Sequence, residues 1–170
     1  MRTAFVLALG FLHAAPLAAA ELAVDITIPR LSVAEYHRPY VAVWVETPGH
    51  DVAADLAVWY DLRMADDEGE KWLKDMRQWW RRSGRGLDMP VDAVSAATRP
   101  PGKHTLRFAT GEAPLGELPA GDYRLVVEAA REVGGRELLR VPFTWPPAEP
   151  VEAGVAGDRE LGTVTLRLAP

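Results

Sequence analysis

Along most of the chain, apolar and polar side chains alternate with a period of two. The alternation runs through seven windows: residues 22–29, 39–47, 55–62, 103–110, 121–130, 137–145 and 162–169. A period of two places successive side chains on opposite faces of a strand. In YVAVWVE, Tyr40, Ala42, Trp44 and Glu46 share one face, and Val41, Val43 and Val45 the other. In YRLVVEA, Leu125 and Val127 oppose Arg124, Val126 and Glu128. Gly, Pro and Asp punctuate the gaps, as turn chemistry requires. Seven short strands with turns between them predict an all-β fold, an antiparallel β-sandwich.

One segment changes period. In DEGEKWLKDMRQWWRRSGRG, Trp72, Leu73, Met76, Trp79 and Trp80 recur at spacings of three and four. That spacing predicts a helix over about 68–83, inserted between the third and fourth strands. Asp67 and Glu70 have the spacing of a capping box, and Gly84 suits the C-terminal stop. Residues 84–102 follow as a loop rich in small residues, framed by Gly84, Gly86, Pro90 and Pro100-Pro101-Gly102. The Pro/Gly/Ala-rich stretch 145–161 reads as a mobile excursion before the last strand.

The N-terminus has its own pattern. Arg2, the apolar run Ala4–Leu12 and the small residues Ala18-Ala19-Ala20 have the layout of a secretory signal peptide, with cleavage expected after Ala20. Residues 21–170 are then expected to form one exported domain that does not span the membrane. Removing residues 1–20 takes away Arg2 and no acid, so the formal charge moves from −5 to −6. This acidic balance argues against nucleic-acid binding. The chain has no cysteine. Disulfides, thiolate metal sites, a Cys nucleophile, covalent haem attachment and a lipoprotein anchor are therefore excluded.

Candidate chemistry centres on VDAVSAATRPPG, residues 91–102. No histidine accompanies it in sequence and no G-x-S-x-G elbow is present, so Ser-His-Asp hydrolysis is not indicated. DAVSAAT instead resembles the target motif of flavin transferases, which attach FMN to threonine on exported redox proteins. That motif runs Asp, two variable residues, Ser or Thr, a small residue, Ala, Thr. Asp92, Ser95, Ala97 and Thr98 match it, and Ala96 stands where Gly is commonest. The resemblance implies that Thr98 carries FMN as a phosphoester, that FAD is the donor and that Asp92 is read by the transferase. Without the flavin, the same stretch is an ordinary Ser/Thr turn ahead of a strand.

A second resemblance covers most of the chain beyond residue 20. PYVAVWVE, KWLKDMRQWWRR, VDAVSAATRPPGKHTLRF and LPAGDYRLVVEAAREVGGRELLRVPF are similar to the DUF2271 family of exported bacterial domains. LPAGDYRLVVEA also resembles a hairpin of immunoglobulin-like and fibronectin-like domains. The family resemblance implies a periplasmic setting with an FAD-dependent FMN transferase and a PepSY-type membrane redox protein as partners. The implied role is electron carrying rather than turnover of a substrate of the protein's own.

A flavin on Thr98 needs a surface and a phosphate partner. Trp72, Trp79 and Trp80 are near in sequence and offer indole faces. An apolar stripe at helical spacing mostly faces a core, which leaves at most one of the three for a flavin; Trp79 and Trp80 are the candidates for that contact. Arg81, Arg82 and Arg99, with Arg77 and Arg85, suit phosphate geometry or form a solvated helix face. Two alternatives stay open. One is a cofactor-free immunoglobulin-like module docking on a membrane partner. The other is a metal-handling domain using His37, His50 or His104, although no spacing matches a recognised metal site.

Overall fold

The computed structural model describes residues 19–170; the expected leader, residues 1–20, lies outside this range apart from Ala19 and Ala20. Nine strands form two sheets: β1 (Glu21–Ile28), β2 (Tyr40–Glu46), β3 (Val52–Tyr60), β4 (Ser95–Ala97), β5 (Gly102–Ala109), β6 (Gly121–Ala130), β7 (Arg136–Trp145), β8 (Val151–Ala156) and β9 (Thr163–Ala169). One sheet has the order β5-β1-β9-β8 and the other β4-β3-β2-β6-β7. All pairings are antiparallel except β3 with β4. The molecule is an all-β sandwich.

Its connectivity is immunoglobulin-like for six strands, and β4, β8 and β9 depart from it. Strands β1, β2, β3, β5, β6 and β7 occupy the places of B, C, C′, E, F and G in that fold. The place of strand A, beside B, is taken by β9 from the other end of the chain. Within LPAGDY, the Tyr123 hydroxyl donates to the Pro119 carbonyl at 2.9 Å. This is the tyrosine corner that fixes the approach to strand F in such sandwiches.

The two periodicities sort into two cores. Leu22, Val24, Ile26 and Ile28 face Val41, Val43, Val45, Leu125 and Val127 between the sheets. The opposite face of the five-stranded sheet is also covered. Ala42, Trp44, Val58, Tyr60 and Val126 pack there against Leu73, Met76 and Trp79 of the inserted segment. Each fully buried large aliphatic side chain contributes about 1.5–3 kcal/mol relative to exposure.

The insertion is not one helix over 68–83. It consists of α1 (Glu68–Lys71) and α2 (Arg77–Arg82), with 3₁₀ turns at Ala65–Asp67, Leu73–Asp75 and Gly84–Gly86. No capping box forms, since Asp67 sits at φ 55° and makes no side-chain cap bond. The break at Met76 has a physical cause. In a continuous helix, the N–H groups of Gln78 and Trp79 would bond carbonyls four residues back. Here both are first-turn donors, and the buried Glu128 carboxylate takes them at 2.8–3.1 Å. Asp55 pins the same turn by accepting from Trp79 Nε1 at 2.9 Å and from the Ser83 hydroxyl.

Two further expectations change. Residues 84–102 are not all loop, because β4 joins the edge of the five-stranded sheet. Residues 145–161 are not a free excursion, because β8 pairs with β9 along six residues. The following turn is fixed by Glu137, which accepts the backbone N–H groups of Asp158, Arg159, Glu160 and Leu161.

Candidate functional site

VDAVSAAT first makes a closed turn. Ser95 Oγ accepts the Val91 N–H at 2.9 Å, and the Ser95 N–H donates to the Val91 carbonyl at 2.9 Å. Ala93, at φ 62°, occupies the left-handed region inside this turn. Val94 is buried in the outer core, and its carbonyl accepts the Val58 N–H at 2.9 Å. Ser95, Ala96 and Ala97 then pair in parallel with Val58, Trp59 and Tyr60. Ala96 packs on the inner core, while Asp92 and Ala97 are exposed. Thr98 donates its N–H to the Tyr60 carbonyl at 3.2 Å, which ends the ladder.

Beyond that bond, Thr98 lies on the wall of a pocket of about 360 Å³. This volume falls in the lower part of the range for small-molecule sites. The coil before β2 contributes Tyr36, His37 and Arg38, and Tyr40 follows at the start of β2. The segment after β3 contributes Asp61, Met64, Trp72 and Asp75; the end of β6 and the residues after it contribute Ala130, Arg131 and Glu132. Trp72 remains 44% exposed. Burial pushes the phenols of Tyr36 and Tyr40 above their ordinary pKa, so both keep their protons at neutral pH.

Arg131 is the most constrained group in the wall. Its side chain is only 6% exposed and forms a fork with Glu160, Nε to Oε2 at 2.8 Å and Nη2 to Oε1 at 3.2 Å. Glu160 also accepts the Gly135 N–H at 2.7 Å. The guanidinium carbon stands 6.0 Å from the centre of the Tyr36 ring. Arg131 Nη1 and the Tyr36 hydroxyl are both buried and have no hydrogen-bond partner among the described residues. Both atoms are enclosed by protein, so the wall they stiffen is held by the Glu160 fork and by packing.

The other residues singled out in the sequence lie elsewhere. Trp79 is fully buried beneath the insertion, and Trp80 is partly buried against the same cluster. The indole facing the pocket is therefore Trp72. Arg81 bonds Gln78 Oε1 at 2.8 Å, and Arg82 bonds the His50 carbonyl. Arg99 lies over the Trp59 ring at 5.4 Å. None of these three arginines lines the pocket, whose cations are Arg38 and Arg131. The cluster Tyr-His-Arg-Pro-Tyr at 36–40 was the available signal for the missed wall. Nothing in the sequence announced the Arg131–Glu160 pair.

The histidines have separate partners. His37 contacts Glu35 and Glu132, His50 contacts Glu46, and His104 packs on Trp59 and bonds the Pro100 carbonyl. Among the described residues no group of three or more His, Asp or Glu is arranged to hold a metal ion. No helix among them is long and apolar enough to cross a membrane.

Fold and pocket together define a β-sandwich of immunoglobulin-like connectivity with an aromatic pocket at one end of the five-stranded sheet. The DUF2271 family model, described as "Predicted periplasmic protein", matches residues 21–163. The chain belongs to that family, and the protein is periplasmic. Neither the curated proteins nor the solved structures offer a match to the chain.

Proposed function

We propose that this protein is a periplasmic electron carrier with FMN bound covalently to Thr98. The observation that carries the reading is the position of Thr98: the last residue of the Asp92–Thr98 motif stands in the wall of an aromatic pocket. The residues present suit a flavin. Trp72, Tyr36 and Tyr40 supply flat apolar surface.

Attachment follows a balanced transfer. Thr98 Oγ1 bonds the phosphorus of the FMN half of FAD, the pyrophosphate bond breaks, AMP leaves and the hydroxyl proton passes to a base of the transferase. The motif is open to such an enzyme, because β4 is an edge strand of three residues. A bound flavin supplies one- and two-electron transfer, and covalent attachment retains it outside the cytoplasm. A PepSY-type membrane protein is the proposed exchange partner.

The competing reading is a cofactor-free module. It draws on Ser95, whose hydroxyl closes the Val91 turn and so has a structural role without any flavin. The two readings separate on protein exported from a host that also makes an active flavin transferase. The carrier shows a yellow chromophore that survives denaturation and is bleached reversibly by dithionite. Thr98→Val is colourless with an unchanged circular-dichroism spectrum. Colourless wild-type protein, beside a control target that the same transferase labels, favours the cofactor-free module.

A further inference from the structure

Three arginines from three elements converge at the end of the five-stranded sheet away from the pocket. Glu46 ends β2 and is fully buried. It pairs with Arg124 of β6, and Arg140 of β7 stands opposite Val126, two positions along the same outer face. Arg140 Nε donates to Glu46 Oε1 at 3.0 Å, His50 Nδ1 lies 2.9 Å from that oxygen, and Arg124 Nη1 lies 3.6 Å from it. Arg124 Nη1 is also 3.4 Å from His50 Nδ1, and Arg82, at the end of α2, bonds the His50 carbonyl. The cluster is open to solvent: the side chains of Arg124 and Arg140 are 32% and 34% exposed. Among the described residues, the Nη2 of Arg124 and both Nη atoms of Arg140 have no hydrogen-bond partner.

The charges of this cluster do not balance. Among the described residues, Glu46 is the one carboxylate within ion-pair distance of Arg124 and Arg140, and Arg82 has none. Asp122, on the same face, is bonded to Thr144. Three guanidinium charges against one carboxylate leave an excess of two, on a chain whose formal charge is −5. Like charges held together repel, and an anion seated among them relieves the repulsion. Guanidinium groups match phosphate oxygens in geometry. A phosphate monoester carries about −1.5 to −2 at neutral pH, which meets the excess, whereas a single carboxylate meets half of it. We infer that Arg82, Arg124 and Arg140 form a binding site for a phosphate group, carried either by free phosphate or by the head of a phosphomonoester lipid. Glu46 lies six residues beyond Tyr40 of the pocket wall along β2. At a strand rise of about 3.3 Å per residue, the two stand roughly 20 Å apart. The site is therefore separate from the pocket and independent of the flavin reading.

The test titrates the whole exported protein with inorganic phosphate at constant ionic strength, followed by isothermal calorimetry. In a parallel arm the protein is sedimented with phosphatidylcholine vesicles, with and without phosphatidic acid. Arg82→Gln and Arg140→Gln are each expected to weaken binding by about tenfold. Arg81→Gln removes the same charge from an exposed neighbour bonded to Gln78, and is expected to leave binding within about twofold. Arg82→Gln breaks no ion pair, so its melting temperature stays near the wild-type value and unfolding does not confound the result. Phosphate binding without sedimentation identifies free phosphate as the ligand. Sedimentation that requires both phosphatidic acid and Arg82 identifies the lipid head. Absence of binding in both arms, up to millimolar phosphate, overturns the inference. So does binding that Arg82→Gln and Arg140→Gln leave unchanged. A loss in Arg81→Gln equal to that in Arg82→Gln also overturns it, because general attraction to a basic surface then accounts for the signal. Thr98→Val binds phosphate as the wild type does, so this result and the flavin result fail separately.

Discussion

At Gly84 there is no room for a methyl group. A Cβ there would lie 2.5 Å from the Trp79 ring, which is held by Asp55 and fully buried. Gly84→Ala is expected to cost about 1–3 kcal/mol by overpacking, measured by urea unfolding. The tryptophans of the same segment divide sharply. Trp79→Ala should lose about 3–5 kcal/mol, since it empties the outer core. Trp72→Ala, at an exposed site, should change stability by no more than about 0.5 kcal/mol while reducing the quenching of bound flavin. A flavin signal indifferent to Trp72 would remove that residue from the site. The division explains what the sequence spacing conveyed. Helical spacing marked the stripe of Leu73, Met76 and Trp79 that packs on the outer core, but Trp79, a candidate for the flavin contact, is fully buried there. The spacing could not tell which indole stood at the end of the stripe and faced the pocket, because that depends on the break at Met76.

The elements are fastened by buried carboxylates. Glu128 caps α2 from a neighbouring strand and also receives Arg136 at 2.6 Å. Glu128→Ala leaves two N–H groups without their acceptor and is expected to cost about 1–3 kcal/mol, with loss of amide protection in residues 77–82. The carboxylates of Asp25, Glu46 and Glu137 lie below their ordinary pKa. A hydrogen bond from Arg167 leads for Asp25. For Glu46 burial opposes the shift, but His50 and Arg140 outweigh it. For Glu137 burial again opposes, and four backbone N–H groups prevail. A carboxylate with a lowered folded pKa contributes stability that is complete above the ordinary value of about 4 and is lost as pH falls through and below it. The melting temperature should therefore drop steeply on acidification below about pH 5. Glu137→Gln should be less stable at neutral pH and show a shallower acid limb. An unchanged acid slope would contradict the role given to Glu137. Strands with strong alternation were legible in the sequence. The two missed strands, SAA and VEAGVA, are rich in Ala and Gly, and pairing with β3 and β9 overrides their weak strand preference.

The whole molecule joins distant parts of the chain at one place. Its sandwich class was readable from alternation alone, but the pocket was not. Residues 36–40, 61–75, 98 and 130–132 meet there only because β2, β3, β4 and β6 share one sheet, with the insertion folded over it. Thr98 stood out by motif; Arg131 and Tyr36 stood out only once burial and missing partners were visible. The account makes the edge strand a delivery point: a transferase modifies Thr98, and the flavin settles against the wall beside it. The most direct measurement is the intact mass of the mature protein exported together with an active flavin transferase, followed by peptide fragmentation. The account predicts a gain of one FMN less one water, located on Thr98. An unmodified mass, or the same gain located on another residue, would contradict it.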